Sequence, residues 1–158
     1  VWVGEPASCG KLGRLADTDL EKILQWEIPV LIEADGARRL PAKVPAKHEP
    51  VILPCTTYVL SVYGLDSIGQ KIEDVVFRHE LAEKLLNKKK NECVSAEDIA
   101  ILASSVYGGR KGCPEKAGYT VVLNKADNET RKRTALAVCR ALEDRKIRQV
   151  IVTGRQES

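Results

Sequence analysis

Pro29-Val30-Leu31-Ile32-Glu33-Ala34-Asp35-Gly36 is a short apolar run that ends in two carboxylates and a glycine. Such a run predicts a buried strand of a parallel sheet. Ligands of open α/β sheets lie just beyond the carboxyl ends of the strands, so Glu33 and Asp35 fall where a Mg²⁺-nucleotide would sit. Side chains alternate along an extended segment, so residues two apart face one site. One carboxylate would hold Mg²⁺, a hard cation that takes oxygen ligands, while the other orients water or a second metal-bound group. An acidic strand end is also what a chain emerging into solvent carries, and this stretch alone leaves both readings open.

A second stretch answers it. Tyr119-Thr120-Val121-Val122-Leu123 is another apolar strand, and Asn124-Lys125-Ala126-Asp127 follows. In guanine-nucleotide sites, the Asp of Asn-Lys-x-Asp accepts hydrogen bonds from the guanine N1–H and the exocyclic amino group, a pair that adenine does not offer. The Asn amide meets the other edge of the base, and the Lys stem lies along the ring plane. A polar turn of ordinary loop residues would look similar. The strand before it and the acidic strand end elsewhere favour the functional reading.

Bulk properties set the frame. With 158 residues and 44% hydrophobic content, residues 1–158 read as a single α/β domain. A net charge of +3 gives no warrant for a nucleic-acid partner, and 4% aromatics argue against base-stacking platforms. No apolar run approaches the ~20 residues that cross a bilayer. Cys9, Cys55, Cys93, Cys113 and Cys139 are odd in number and contain no C-x-x-C pair, so neither a disulfide framework nor a zinc site is indicated. Reduced cysteines in a cytosolic protein are the plain reading, and a metal- or redox-handling role for Cys9, Cys55 or Cys113 stays open. The chain begins at Val1 and contains no Met. Either an upstream segment or the methionines themselves are expected to be missing from it.

In chain order, Gly10-Lys11 lies in a glycine-rich stretch, but Leu12 follows the lysine and the Walker A spacing fails. Thr18 to Glu21 matches a capping box that opens a short helix to about Gln25, with Leu20, Ile23 and Leu24 on one face. Residues 36–57 hold four of the seven prolines, which forbid a regular helix. This loop carries Arg38, Arg39, Lys43 and Lys47 beside His48 and Glu49. It reads equally as a solvated surface loop or as basic groups closing over phosphates or an anionic cofactor. Tyr58 to Val62 predicts a second buried strand, ended by Gly64, with Asp66 just beyond. A helix is expected over about 71–89. A second capping box at Ser95 to Asp98 opens a helix with Ala96, Ile99, Leu102, Ala103 and Val106 inward, stopped by Gly108-Gly109. A helix over about 129–144, with Ala135, Val138, Cys139 and Leu142 inward, precedes a last strand at 149–152. The class is α/β with a mostly parallel sheet and flanking helices.

These residues resemble a known family. Leu31 to Ala37, followed by Lys43-Val44-Pro45-Ala46-Lys47-His48-Glu49-Pro50-Val51-Ile52, looks like the signature of the selenium-dependent molybdenum hydroxylase accessory proteins, the YqeC-like family. Lys11-Leu12, Arg78 within Val-Phe-Arg-His-Glu, and Leu123 to Asp127 match its other marks. The resemblance implies a cytoplasmic, P-loop NTPase-like protein that binds GTP or ATP with Mg²⁺. Its partner would be a molybdenum hydroxylase or that enzyme's cofactor, with neither nucleic acid nor membrane involved. The family's glycine-rich phosphate loop does not occur in this sequence, which fits an N-terminal phosphate-binding strand and loop lying upstream of Val1. The strand end at Glu33 to Gly36 also looks like those of metal-insertion GTPases that load nickel enzymes. The expected site is then Glu33 and Asp35, both at the metal and catalytic, with Lys43, His48 and Glu49 as further catalytic groups, and Asn124, Lys125, Asp127 and Arg38 on the nucleotide. His48 would bind a metal or shuttle a proton, or simply be held by Glu49. A nucleoside triphosphatase, a non-hydrolysing chaperone-like protein that holds the cofactor or target enzyme, and a small-molecule kinase are the three function classes this leaves.

Overall fold

The structure is a computed structural model that describes residues 3–6, 12–13, 15–26 and 28–155. Cys9 and the Gly10-Lys11 stretch lie outside the described residues. By contact the chain divides into two compact units, Val1–Glu33 and Ala34–Ser158.

In the first unit, β1 (Glu5–Pro6) pairs antiparallel with β2 (Leu12–Gly13). Helix α1 spans Asp17–Leu24. The capping box expected at Thr18 does not form. The helix starts earlier, with Ala16 at the N-cap and no side-chain cap, so Thr18 lies inside its first turn. Asp17 and Asp19 instead place negative charge against the positive end of the helix. Of the expected apolar face only Ile23 is buried, while Leu24 is exposed.

The strand expected at residues 30–33 is also absent. Residues 29–37 adopt neither helix nor strand. Leu31 is 89% exposed and Ile32 47%. Among the described residues no strand pairs with this run, so it has neither a ladder for its backbone nor a neighbour to bury its side chains.

The second unit is α/β. Its main sheet has three parallel strands in the order β4 (Tyr58–Gly64), β6 (Gly118–Asn124) and β7 (Val150–Val152). Register runs from Tyr58 opposite Gly118 to Gly64 opposite Asn124, and from Val121 opposite Val150 to Leu123 opposite Val152. All three strands therefore end side by side. Tyr63, Val121 and Leu123 face the core, whereas Tyr58, Leu60 and Val62 of β4 point to the other face and are exposed. Helix α5 (Glu129–Asp144) buries Ala135, Val138 and Leu142 as its spacing predicts. Burial of each of the two larger side chains contributes about 1.5–3 kcal/mol. Helix α4 (Ala96–Ser104) opens on the expected Ser95–Asp98 capping box. It ends before Val106, which is exposed rather than inward. Gly108 then folds back so closely that a Cβ there would lie 2.1 Å from the Leu102 carbonyl oxygen.

The proline-rich segment contains a strand that the sequence hides. β3 (Ala42–Lys43) pairs parallel with β5 (Val76–Phe77), Ala42 opposite Val76 and Lys43 opposite Phe77. This pairing splits the helix expected over 71–89. Helix α2 (Ile72–Val75) leads into β5, Arg78 turns in the left-handed region with φ 63°, and α3 (His79–Leu86) follows. Val75-Val76-Phe77 is β-branched and aromatic, so its helix propensity is modest and the ladder with β3 prevails. Val76 is completely buried there.

Candidate functional site

Two groups of polar side chains stand out in the second unit. The first is built around Glu49. Arg78 grips it as a fork, with Nη1 donating to Oε2 at 2.8 Å and Nη2 to Oε1 at 2.7 Å. Lys43 Nζ donates to the same Oε2 at 2.7 Å, lies 2.9 Å from Asp35 Oδ2, and donates to the Gly36 carbonyl at 3.0 Å. The Arg78 fork, aided by Lys43 and opposed by burial, lowers the Glu49 pKa to about 2. A carboxylate held that acidic is a poor proton acceptor at neutral pH, so Glu49 acts here as an anchor. Arg78, left-handed at the N-cap of α3, reaches Glu49 in the loop after β3. Phe77 packs beneath the cations, its ring centre 4.3 Å from the Arg78 guanidinium carbon and 4.9 Å from that of Arg38.

Four of the residues expected in the site thus meet: Asp35, Lys43, Glu49 and, at the edge, His48. His48 Nε2 is 3.8 Å from Glu49 Oε1, and its side chain is 81% exposed. The loop that carries it is held from a distant element, because Lys111 Nζ donates to the carbonyls of Ala46 and Lys47. Glu33 is exposed and belongs to the first unit. Among the described residues no group of three or more His, Cys, Asp or Glu side chains is placed to hold a metal. Asp35 is committed to Lys43.

The second group lies at the carboxyl edge of the β4–β6–β7 sheet. Asn124 is the last residue of β6, and its Oδ1 accepts from Lys125 N at 2.7 Å and from Thr153 Oγ1 at 3.1 Å. Those bonds orient its amide nitrogen as the remaining donor. Ala126 N donates to the Thr153 carbonyl at 2.9 Å, so the loop after β6 is stitched to the end of β7. Asp127 Oδ1 accepts from Arg155 N at 2.7 Å, and Arg131 Nη1 lies 3.3 Å from Oδ2. Each carboxylate oxygen has two lone pairs, so Asp127 keeps acceptor capacity on both oxygens. Asn128 caps α5 by accepting from Arg131 N at 2.9 Å, which fixes where the helix begins and where Arg131 stands. Lys125 Nζ reaches Asp66 Oδ2, just past the end of β4, at 2.5 Å.

Asn124, Lys125 and Asp127 are therefore together at a strand end, as their spacing predicts. Arg38, expected on the nucleotide, is exposed and stacks at Phe77 beside the Glu49 group. Asp66, Arg131, Thr153 and Lys111 join these groups without a motif that marks them. Asp66 carried a signal, as the first acidic residue after an apolar strand. The other three are recruited by tertiary contact and carry none.

A family model described as "YqeC protein" matches residues 1–80. Those residues include the whole Glu49 group and Asp66 but not Asn124 to Asp127. Among individual relatives, the uncharacterized protein YqeC of Escherichia coli (strain K12) is 30% identical over 97 residues. The match covers 61% of this chain and 38% of that relative, so the chain spans well under half of its length. No solved structure matches.

Proposed function

The chain belongs to the YqeC family, and from that membership and the geometry of its sheet edge we propose that it is a guanine-nucleotide-binding accessory protein. The observation that carries this reading is the position of Asn124, Lys125 and Asp127 at the carboxyl edge of a parallel sheet, where α/β folds hold their ligands. Guanine would present N1–H and its amino group to the Asp127 carboxylate. The Asn124 amide nitrogen would donate to the opposite edge, and the Lys125 stem would lie along the ring. Mg²⁺ would enter with the triphosphate, whose oxygens supply ligands to it beside one or two carboxylates. The resemblance of the Leu31–Ile52 segment supports the coarser biological role, service to the maturation or cofactor loading of a selenium-dependent molybdenum hydroxylase.

A second reading makes the protein a non-hydrolysing holder of the cofactor or of the target enzyme. It is favoured by Arg38 and Arg39, both exposed and both with left-handed backbones of φ 50° and 66°. Neither has an acidic partner among the described residues.

The test is Asp127→Ala in the full-length protein, with GTP and ATP compared by direct binding. Loss of a charged acceptor to two donors predicts a GTP affinity lower by about 10- to 100-fold, with ATP little changed. Equal loss for both nucleotides would remove the base-reading role.

A further inference from the structure

We propose that Asp66 is a positioning residue for Lys125, setting the lysine stem as one wall of the base site; this rests on the guanine reading of Asn124 to Asp127. β4 and β6 end in register, Gly64 opposite Asn124, so the residues just beyond them are neighbours. Asp66 sits in the short 3₁₀ turn Leu65–Ser67. That turn is fixed on both sides of it. Leu65 and Ser67 are buried, and Ser67 Oγ donates to the Gly64 carbonyl at 2.7 Å.

The carboxylate on this fixed turn has one hydrogen-bonding task. Oδ2 takes the Lys125 ammonium at 2.5 Å. Oδ1 is buried and has no hydrogen-bond partner among the described residues. It packs over Gly64, where a Cβ would fall 2.4 Å from it. A glycine at 64 is therefore what lets the carboxylate fold back to this position. A buried acceptor without a partner is costly, and the arrangement gives up that stability to aim the other oxygen at Lys125.

Lys125 is held at both ends. Its φ of 65° is uncommon for a side chain of its size. Its backbone N–H is fixed by Asn124 Oδ1 and its ammonium by Asp66 Oδ2. The four-carbon stem is thereby stretched from the end of β6 towards the end of β4. Pairing with Asp66 also takes up the ammonium charge. What remains of Lys125 for a flat base is aliphatic surface, which suits stacking along the stem. Strained backbone held in place by its surroundings is a recurrent feature of ligand clamps.

The experiment is a double-mutant cycle on nucleotide affinity in the full-length protein. Wild type, Asp66→Asn, Lys125→Met and the double variant are titrated with GTP and with ATP in the presence of Mg²⁺. Asp66→Asn keeps the shape and removes the charge. It is expected to weaken GTP by about fivefold to tenfold, the scale of a half-exposed charge-assisted bond, and to leave ATP unchanged. In the Lys125→Met background the same change is expected to cost nothing further. Asp66→Ser repeats the test should the asparagine variant fold poorly. Unchanged or tighter GTP binding by the Asp66 variants would overturn the proposal, as would an equal loss with Lys125 already removed. A wild type without guanine preference would be a different failure, that of the base-reading role, and would take the proposal with it.

Discussion

Around Glu49, charged side chains satisfy one another; at the carboxyl edge of the β4–β6–β7 sheet they leave capacity unused. Glu49 gives both oxygens to Arg78 and Lys43, and Lys43 spends its remaining donors on Asp35 and Gly36. These groups are mostly buried, and the network joins β3 to the residue that follows β5. At the sheet edge, Asn124 keeps a donor and Asp127 keeps lone pairs. The difference separates two uses of the same residue types. A carboxylate gripped by two cations on its own fold is a brace, and donors and lone pairs left open beside strand ends are what the proposed ligand would use.

Removing one partner of the brace should produce the largest change in stability. Arg78→Ala leaves Glu49 with only Lys43 and removes the side-chain tie between the loop after β3 and the turn into α3. Breaking a buried pair costs about 3–5 kcal/mol. With both side chains about one-fifth exposed, a loss of about 2–3 kcal/mol is expected in urea unfolding. A loss below about 0.5 kcal/mol, the range of ordinary surface changes, would mean that the Glu49 group braces nothing.

Acid gives a gentler version of the same test. The folded pKa of Glu49 is lowered from 4.5 to about 2, so its contribution is fully present above about pH 4.5. It is lost as pH falls from there through about 2. Unfolding free energy measured between pH 5 and 2 should fall with a slope that Glu49→Gln reduces. An identical slope in the variant would place the acid sensitivity elsewhere.

The smallest expected effect belongs to the sheet edge. Asp127→Ala removes a half-buried acceptor that bonds Arg155 N and Arg131, so stability should move by no more than about 1 kcal/mol while guanine affinity falls. A large stability loss would make Asp127 a brace as well, and the contrast between the two regions would disappear.

The parts of the fold that could be read in the sequence are those whose signals are local. α5 follows from its apolar spacing, and the Ser95–Asp98 cap is a contact within four residues. Asn124 to Asp127 could be placed because an apolar run precedes them and that run finds neighbours on both sides. Leu31-Ile32 carries the same apolar signal without a partner strand, and it stays exposed. Val76-Phe77 lay hidden inside a helical periodicity because its ladder partner, Ala42-Lys43, is more than thirty residues away among prolines. The Glu49 group was partly visible. Lys43, His48 and Glu49 lie within one segment, whereas Arg78, which completes it, arrives through β5. Asp66 and Lys125 are 59 residues apart, and only the parallel register of β4 and β6 brings them together.

The most direct measurement is titration calorimetry of the full-length protein with GTP and with ATP, each with Mg²⁺. GTP is expected to bind at least tenfold tighter than ATP, about 1.4 kcal/mol, from the extra pair of hydrogen bonds that guanine offers Asp127. Equal affinities, or no binding of either nucleotide, would contradict the assignment of the sheet edge as a guanine site.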